Sequence, residues 1–502
     1  MTLLKVKERI VGPSGIYNIQ NEWYGYADEF KYTIGLAGLT GFGVGCCPPD
    51  LLPDDMAPME GTEDRFSANY GNYIHLPSAS IMCFIPKHFI DFQGGANTNA
   101  PTFGNPIIIS NSQTGNSVLA RTFLNGGSEL AGIFVDKYHI SNVRPDGSGL
   151  PNSTSGNAGG YPNAGGIAAS RPLHWPLSTN LSGTLRSPYS LCNSTALNPA
   201  QGTPSNNYAG SWAVCRSRGT QFHPVPIWTY ANLAYLSLAH AQALLDGSGN
   251  PISGATTNAA WMDTAPYAPK GNNGNNCTDV NKPSLRFDRT DIAGNVSGRA
   301  GENHRAFTGA AWIGSVSTPA VEHTTHNGQR SGVVDLNGNH WECAPGLTNT
   351  GGTNAGYRML SGAVDWGTIS SNANILAAST ISMIADVSNN GIWWTDANAW
   401  IYLIPAIGGT YHQTTSWSGE PTRRAMTECM LPRQAGTSPT QTSTNHFGGD
   451  GFYRRHFNDL LPPVGGSWNF GALSGVFTLL LGDSGSASRE TAGCRSCRLL
   501  AA

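Results

Sequence analysis

One segment, HPVPIWTYANLAYLSLAHAQALL at residues 223–245, has apolar residues nearly all the way round when it is wound as an α-helix. Pro226 falls where a first helical turn tolerates proline, and the sequence DGSGNP then ends the helix. A helix without a polar face is stable only when it is buried. The segment therefore predicts a buried helix, and we interpret His240 within it as a core residue.

Short apolar or alternating runs elsewhere predict β-strands, among them SIMCFIPKHFIDF at residues 80–92 and ELAGIFVDKYHISN at residues 129–142. The chain between such runs is rich in turn-forming residues, with 62 Gly and 31 Pro. Only 12% of the 502 residues are charged, about half of the typical ~25%. We therefore expect an α+β fold with long loops.

The first part of the chain differs in composition from the rest. It is rich in aromatic residues and Gly, and it then breaks into Pro and Asp at residues 46–55. The strand signals begin only near residue 78. We therefore predict a small attachment or oligomerisation module at residues 1–77 and a larger domain at residues 78–502.

The charge pattern excludes two classes of partner. The formal net charge is −3, which gives no electrostatic basis for binding nucleic acid or an anionic membrane. The sequence MTLLKVKERIVG lacks the apolar core of a signal peptide, and no apolar run approaches the ~18 residues of a membrane helix. We expect no nucleic-acid partner, no membrane insertion and no signal peptide.

The sequence LGDSGSASRE at residues 481–490 is similar to the serine loop of trypsin-type proteases. Such an enzyme needs a His beside the nucleophile, a carboxylate behind the His, and an oxyanion hole. Only 18 residues follow Ser484, too few for the strands that complete a trypsin-like barrel, and no Ala-Ala-His-Cys sequence precedes it. We therefore predict no catalytic residue and interpret Ser484 as an ordinary loop serine.

Two further patterns have the spacing of metal or redox sites. CRSC at residues 494–497 has CxxC spacing but lacks the strand-turn-helix pattern of a redox motif, so two buried thiols or one disulfide are the alternatives. His323 and His326 are three residues apart, a spacing that binds metal only with further ligands. Neither pattern by itself predicts a site.

Two longer segments carry a family resemblance: HNGQRSGVVDLNGNHWEC at residues 326–343 and GGSWNFGALSGVFTLLLGDSGSASRETAGCRSCRLL at residues 465–500. Two shorter segments precede them in the chain, FVDKYHISN at residues 134–142 and PVPIWTYANLAYLSL at residues 224–238. Together the four segments resemble the formylglycine-generating-enzyme type of C-type lectin fold. The resemblance covers roughly residues 78–500. It implies that residues 78–502 form a C-type lectin fold with long loop insertions.

In the enzymes of this family, the turn that matches GVVDLNGNHWE holds a calcium ion. By position, the resemblance implies side-chain ligands from Asp335 and Glu342 and carbonyl ligands from Gly338 and His340. Hard oxygen ligands of this kind suit calcium, and no other cofactor is expected. The alternative is a turn held without metal, in which both carboxylates accept backbone hydrogen bonds.

The enzymes of this family oxidise a substrate cysteine with two cysteines of their own, placed just after the GGS sequence. Phe470 and Gly475 occupy these positions here. Thiol chemistry requires thiolates, so the resemblance implies the fold and not that activity. An enzyme of the same fold with another activity stays open as an alternative.

The closing segment, residues 465–498, also resembles variable proteins diversified by retroelements, of which phage tropism determinants are the best-known type. In those proteins Asn codons are rewritten, while scaffold positions are kept, among them those of Gly465, Gly466, Ser486, Ser488 and Arg495. The positions that depart from the scaffold, and that the resemblance implies are ligand-binding, are Phe470, Leu473, Thr478, Leu480, Gly482, Asp483, Gly485, Ala487, Arg489, Glu490 and Thr491.

The alternation of a β-strand divides part of this segment into two faces. Phe477, Leu479 and Leu481 share one face, which we predict to be core. Thr478 and Leu480 share the other, which we predict to be an exposed patch for ligand contacts. The alternative is a core strand that is buried on both faces.

The resemblances imply a ligand- or receptor-binding protein that displays a diversified surface on a phage tail, a prophage product or a bacterial cell surface. We expect a host cell-surface protein or glycan as its partner and a homotrimer as its assembly. This interpretation requires the diversified positions to form an exposed face, and it fails if most of them are buried. The alternatives are a formylglycine-generating-enzyme-like enzyme without the cysteine pair and a non-variable structural virion protein.

Overall fold

The computed structural model describes residues 30–91, 107–115, 117–143, 167–172, 176–179, 205, 207–244, 325–336, 338, 340–350, 356–378, 380–383, 399–402, 421–431, 450–467, 474–489 and 491–501. These residues form several β-sheets and few helices, as the expected α+β class requires. Within these ranges, no helix combines the length and the apolar character needed to cross a membrane.

The strands of the described residues are short. They are β1 (Met56–Pro58), β2 (Asn72–His75), β3 (Ser80–Pro86), β4 (Phe89–Asp91), β5 (Ile108–Ser110), β6 (Val118–Leu119), β7 (Leu124–Asn125), β8 (Ser128–Asp136), β9 (Ile140–Val143), β10 (Ile167–Ser170), β11 (Phe222–Pro224), β12 (Trp341–Cys343), β13 (Leu347–Asn349), β14 (Tyr357–Leu360), β15 (Thr380–Met383), β16 (Ala399–Tyr402), β17 (Gly451–Arg454), β18 (Pro463–Val464), β19 (Leu479–Leu480), β20 (Ala492–Gly493) and β21 (Ser496–Ala501). The α-helices are α1 (Gly210–Arg216), α2 (Ile227–Ala243), α3 (Asn372–Ala377) and α4 (Pro421–Glu428), and single 3-10 turns lie at Arg121–Phe123 and Trp366–Thr368.

The main sheet is antiparallel and has the strand order β1-β2-β3-β8-β21-β11, with β7 paired to β8 beside this path. The last strand of the chain, β21, therefore lies inside the sheet between β8 and β11. The outer strands β1 and β11 each end in proline, at Pro58 and Pro224. Proline cannot donate a ladder hydrogen bond, so both edges are poor templates for pairing with another chain.

A second sheet has the order β16-β17-β19-β18-β12-β20. In it β12 pairs in parallel with β20, placing Trp341 opposite Ala492 and Glu342 opposite Gly493. The two segments that carry the family resemblance are therefore direct neighbours, although residues 344–464 lie between them in sequence. Smaller sheets pair β9 with β10, β4 with β5 and β6, and β14 with β13 and β15.

The predicted buried helix is confirmed as α2, in which every residue from Ile227 to Gln242 is buried. It is shorter than predicted at its start, because residues 222–224 form β11 and Pro226 occupies the cap position before the first turn. Strands β3 and β8 confirm the two predicted strand segments. The largest apolar cluster of the protein surrounds α2 and includes side chains from the main sheet.

The predicted boundary at residue 77 does not divide the described part of the chain. Strands β1 and β2 belong to the main sheet, and Ile34, Phe42 and Val44 lie in the same core cluster as α2. Residues 30–77 are therefore part of one packed unit with the residues that follow, because their apolar side chains are buried against that unit. The prediction for residues 1–29 lies outside the described residues.

Candidate functional site

The strand of the closing segment is buried on both faces. The three residues predicted to be core have no exposed surface: Phe477, Leu479 and Leu481. Thr478 and Leu480 were expected to be exposed, and this expectation is wrong, because they are 0% and 4% exposed. Strand β19 has neighbours on both edges, and Leu480 packs in a further apolar cluster with Tyr208 and Trp341. The alternative of a two-sided core strand therefore describes residues 477–481.

The loop after this strand, residues 482–489, is here called the closing loop. Its Asp483 carboxylate is buried and accepts hydrogen bonds from Tyr208 Oη (2.8 Å) and from Arg489 Nε (2.6 Å) and Nη2 (2.8 Å). The backbone is held as well, because the amides of Tyr208 and Ala209 donate to the carbonyls of Ala487 and Gly485. The loop is therefore fixed from its inner side by an ion pair and by segment 208–209.

The outer side of the closing loop is polar. Ser486, Ser488 and Arg489 are exposed, while Gly482, Ser484 and Ala487 are half-buried. Of the eight predicted ligand-binding positions that the structure describes, most are buried: Thr478, Leu480, Asp483, Gly485 and Thr491. The prediction that these positions form one exposed face is therefore wrong for those five, and the requirement that most of the diversified positions be exposed is not met among the described residues. Phe470, Leu473 and Glu490 lie outside the described residues.

The two loop glycines differ in the room that surrounds them. A Cβ at Gly482 would lie 2.7 Å from the ring of Tyr453, so a side chain there requires that ring to move. A Cβ at Gly485 would have its first neighbour, the Asn372 amide, at 3.6 Å. Position 485 therefore has room for a small side chain, whereas exchange at position 482 is restricted.

The closing loop does not have the geometry of a protease site. The hydroxyl of Ser484 lies 2.8 Å from that of Ser486. The carboxylate of Asp483 accepts hydrogen bonds from Arg489 and Tyr208. His240 lies on α2, where Nδ1 accepts a hydrogen bond from the Gly38 amide. The interpretation of His240 as a core residue is thereby confirmed, and Ser484 is a loop serine in these surroundings.

A buried ion pair joins the two segments of the family resemblance. Arg495 donates from Nε to Glu342 Oε2 and from Nη2 to Oε1, both at 2.8 Å. His139 Nε2 lies 2.9 Å from Oε1, and Tyr230 donates to Oε2. Burial raises the pKa of Glu342, but Arg495 and His139 outweigh burial and lower it to about 2. Glu342 is therefore ionised and has a hydrogen-bond partner at each oxygen.

A second buried ion pair lies beside the first. Arg218 donates to both oxygens of Asp136, at 2.9 and 2.7 Å, and the amide and hydroxyl of Ser496 donate to Asp136 Oδ2. Arg495 also donates to the carbonyl of Asp136. Sequence reasoning missed this pair. The available signal was Asp136 at the end of an apolar strand, since buried carboxylates require a partner.

One of the four calcium ligands implied by the resemblance, the Glu342 carboxylate, is already occupied by protein groups. Glu342 is committed to Arg495, His139 and Tyr230, and these contacts leave no open position for a cation. Asp335 and His340 are buried, and Gly338 has a φ of 146°. Among the described residues, no group of three or more His, Cys, Asp or Glu is arranged to hold a metal. These contacts favour a turn held without metal, although the partners of Glu342 are side chains rather than backbone groups.

Gly475, one of the two positions that carry cysteines in the resembling enzymes, has no room for a side chain here. A Cβ at Gly475 would overlap the Asp450 carboxylate, so a cysteine does not fit there without rearrangement. Phe470 lies outside the described residues. The cysteines within the described ranges, including Cys494 and Cys497, are free and buried. Of the two alternatives for CRSC, the structure therefore has the buried thiols.

Comparison of the sequence with protein-family models and with curated proteins gives no match.

Proposed function

We propose that this protein binds a ligand on a cell surface, that it has the formylglycine-generating-enzyme type of C-type lectin fold, and that the closing loop makes the contact. The observation that carries the proposal is the two-sided character of this loop. Its inner side is fixed by Asp483, Tyr208 and Arg489, while its outer side presents Ser486 and Ser488. A rigidly supported loop with exposed side chains is a common form of binding site, and the proposal uses these two serines although the resemblance counts both as scaffold positions.

The arrangement of the sheets supports the proposed fold. The last strand, β21, lies inside the main sheet, and β12 and β20 bring residues 341–342 beside residues 492–493. These are the segments on which the family resemblance rests. The buried pair of Glu342 and Arg495 gives a physical reason why both segments keep their charged residues.

The proposed mechanism is surface complementarity and not catalysis. Exchange of Ser486 or Ser488 alters the outer surface without removing a core contact, and Gly485 has room for the addition of a small side chain. Arg489 adds a guanidinium that is 46% exposed while it is oriented by Asp483. Arginine is enriched among the residues that dominate binding energy in protein interfaces. The closing loop therefore combines one oriented anchor, Arg489, with two exposed serines.

Cell binding tests the proposal. Fluorescently labelled wild-type protein is incubated with a panel of bacterial strains, and bound protein is measured by flow cytometry. The double variant S486E/S488E adds two charges and bulk to the outer side of the loop. We expect at least a tenfold loss of binding to strains that the wild type binds, since a buried like-charge or desolvation cost of ~1.4 kcal/mol already gives that factor.

The matched control is S128E, which places the same substitution at an exposed serine at the start of β8. It is expected to bind as the wild type does. Equal binding by wild type and S486E/S488E would remove the closing loop as the contact surface. Circular dichroism of all three proteins checks that each is folded.

A second candidate function is favoured by the burial of five predicted ligand-binding positions. In this alternative the closing segment is an invariant structural element of a virion or surface protein. The two candidate functions predict different effects of amino-acid substitutions in the closing loop on binding to bacterial strains. A library randomised at positions 484, 486 and 488 yields folded proteins with altered strain preference under the first, and no strain binding by any member under the second.

We also propose, from the same resemblance, a homotrimer on a phage tail or a bacterial cell surface with a surface protein or glycan as partner. A weak single-site contact gains apparent affinity when three copies bind together. Size-exclusion chromatography with light scattering tests the assembly, and a mass of one chain in solution would contradict it. Protease-treated and periodate-treated cells distinguish a protein partner from a glycan.

A further inference from the structure

Residues 34–46, here called the N-terminal strap, lie between helix α2 and the loop at residues 325–334. Ile34, Phe42 and Val44 in the strap are fully buried. The loop holds the strap through Asn327 Nδ2, which donates to the carbonyl of Phe42 at 2.8 Å, and through Gln329 Oε1, which accepts from the amide of Gly41 at 2.7 Å. Arg65 also donates to the carbonyl of Thr40, and the Gly45 amide donates to the carbonyl of Phe84. Two histidines add further contacts, one from α2 and one from the loop.

The first is His240 of α2. Its Nδ1 accepts a hydrogen bond from the backbone amide of Gly38 at 3.0 Å, and its ring is stacked on Phe42 with centroids 5.3 Å apart. An acceptor at Nδ1 requires the neutral ring with its proton on Nε2. Protonation of Nδ1 would turn the acceptor into a donor that faces the N–H of Gly38. The hydrogen bond from the Gly38 amide to α2 therefore exists only while His240 is neutral.

The second is His326 of the loop. Its Nδ1 accepts from the amide of Val333 at 3.0 Å, and Nε2 lies 2.9 Å from the carbonyl of Gly43, to which it donates. The strap approaches this ring closely, since a Cβ at Gly43 would lie 2.8 Å from Nε2. Protonation of Nδ1 would break the hydrogen bond from Val333, which closes the loop that holds the strap. His326 is therefore also restricted to its neutral form.

The surroundings of the pair oppose a positive charge. Burial lowers the pKa of His240 to about 3, and His326 lowers it further. Burial lowers the pKa of His326 to about 4, and Arg495 and His88 add to this effect, while the Gly43 carbonyl that accepts from Nε2 opposes it. The groups that act electrostatically on His326 are the Arg495 guanidinium, which is itself paired with Glu342, and His88, which is buried and neutral, while His326 acts on His240. A proton on His326 is therefore repelled by Arg495, and protons on both rings repel each other. This repulsion adds to the loss of the two hydrogen bonds.

We propose that His240 and His326 form an acid-sensitive clasp, and that protonation of both rings releases the N-terminal strap from α2 while the main sheet stays folded. The main sheet is held by its own backbone ladders and by the pairs of Asp136 with Arg218 and of Glu342 with Arg495. The strap connects residues 1–29 to the core. Its release would therefore change how everything on its N-terminal side is attached to the protein.

Proton linkage gives the clasp a quantitative signature. A histidine that is neutral in the closed state and has an ordinary pKa of ~6.5 in the open state increases the opening constant ~8-fold between pH 6 and pH 5. Two such histidines increase it ~60-fold over the same interval. The number of histidines in the clasp can therefore be read from the pH dependence of strap opening.

Native-state hydrogen exchange on the full chain measures this opening. The probes are the amides of Gly38 and Val333, which donate to Nδ1 of His240 and to Nδ1 of His326, and the reference amides are those of β8. After correction for intrinsic exchange rates, we expect the opening constants at these two amides to rise ~60-fold, while the β8 amides keep a smaller opening constant at both pH values.

The test variant is H240N. Asparagine Oδ1 takes the place of Nδ1 as an acceptor for the Gly38 amide and does not titrate, so the increase should fall to ~8-fold. The matched control is H223N, which removes a histidine that is also buried and has a pKa lowered by burial to about 4, but that lies on β11. H223N should leave the pH dependence of the strap unchanged. If H240N does not fold, H326N gives the same reduction by the same reasoning.

Three results would overturn the clasp. The first is a strap opening constant in the wild type that does not change between pH 6 and pH 5. The second is an opening constant at pH 5 that is equal for the Gly38 amide and the β8 amides, which would mean that the strap opens only when the whole protein unfolds. The third is a reduction by H223N as large as that by H240N.

Discussion

Arg495 covers both carboxylate oxygens of Glu342, with two N–O distances of 2.8 Å, and neither side chain is more than 2% exposed. Glu342 lies on β12, and Arg495 lies between β20 and β21 at the end of the chain. Arg495 also donates to the carbonyls of Asp136, Lys137 and Val334. One side chain therefore connects the main sheet, the second sheet and the loop before β12.

Replacement of Arg495 by methionine is expected to lower the free energy of unfolding by ~3–5 kcal/mol, because it leaves the Glu342 carboxylate buried without its cationic partner. Urea denaturation followed by tryptophan fluorescence measures the change. The control K87A breaks an exposed ion pair with Glu129 and is expected to cost at most ~1 kcal/mol. A loss of the same size in both variants would show that the Arg495 pair has no special weight.

Leu480→Ala is expected to destabilise the protein by ~2–5 kcal/mol, the range for removal of a buried leucine side chain. Ser488→Ala in the exposed part of the closing loop should change stability by less than ~0.5 kcal/mol. Thermal unfolding measures both. If L480A is as stable as wild type, position 480 is free to vary, and the description of β19 as a core strand is wrong.

Gly475→Cys, which replaces the glycine at the second cysteine position of the resembling enzymes, is expected to lower stability by ~1–3 kcal/mol. The added side chain meets the Asp450 carboxylate, whose Oδ2 accepts a hydrogen bond from the amide of Phe477 at 2.8 Å. Denaturant unfolding measures the cost. Gly485→Cys is the matched control, since position 485 has room for a Cβ, and it should be tolerated better.

The stability of the protein is expected to fall as the pH is lowered from 7 to 4. Burial lowers the pKa of His88 and of His223 to about 4 in the folded chain, against 6.5 in the unfolded chain. Below pH 6.5 the unfolded chain therefore binds more protons than the folded chain. The contribution of these two histidines to the free energy of unfolding is complete above pH 6.5 and is lost towards pH 4.

A second loss of stability is expected at lower pH. The pKa of Glu342 is about 2 in the folded chain against 4.5 when unfolded, so its contribution is lost between pH 4.5 and pH 2. Urea midpoints measured from pH 7 to pH 3 record the first loss and the start of the second. Equal midpoints at pH 7 and pH 5 would contradict the neutral state of the buried histidines.

Several elements were predictable because their signal is local. The apolar residues around residues 223–245 predicted the buried helix α2, and the apolar runs at residues 80–92 and 129–142 predicted β3 and β8. The prediction for residues 477–481 was half right, since alternation identified one core face. Alternation does not show whether the opposite face is covered, and segment 208–209 supplies that cover from far away in sequence.

The sequence by itself determined where the apolar helix and strands lie, that Gly475 carries no thiol, and that residues 326–343 and 465–500 are the distinctive segments. Only the tertiary structure decided that Glu342 pairs with Arg495 instead of being open to a metal, and that Asp483 is held by Tyr208 and Arg489. Local patterns record the periodicity of a single element. The partner of a buried charge is chosen by the packing of distant elements, because a buried carboxylate requires compensation from whichever donor the fold brings within reach.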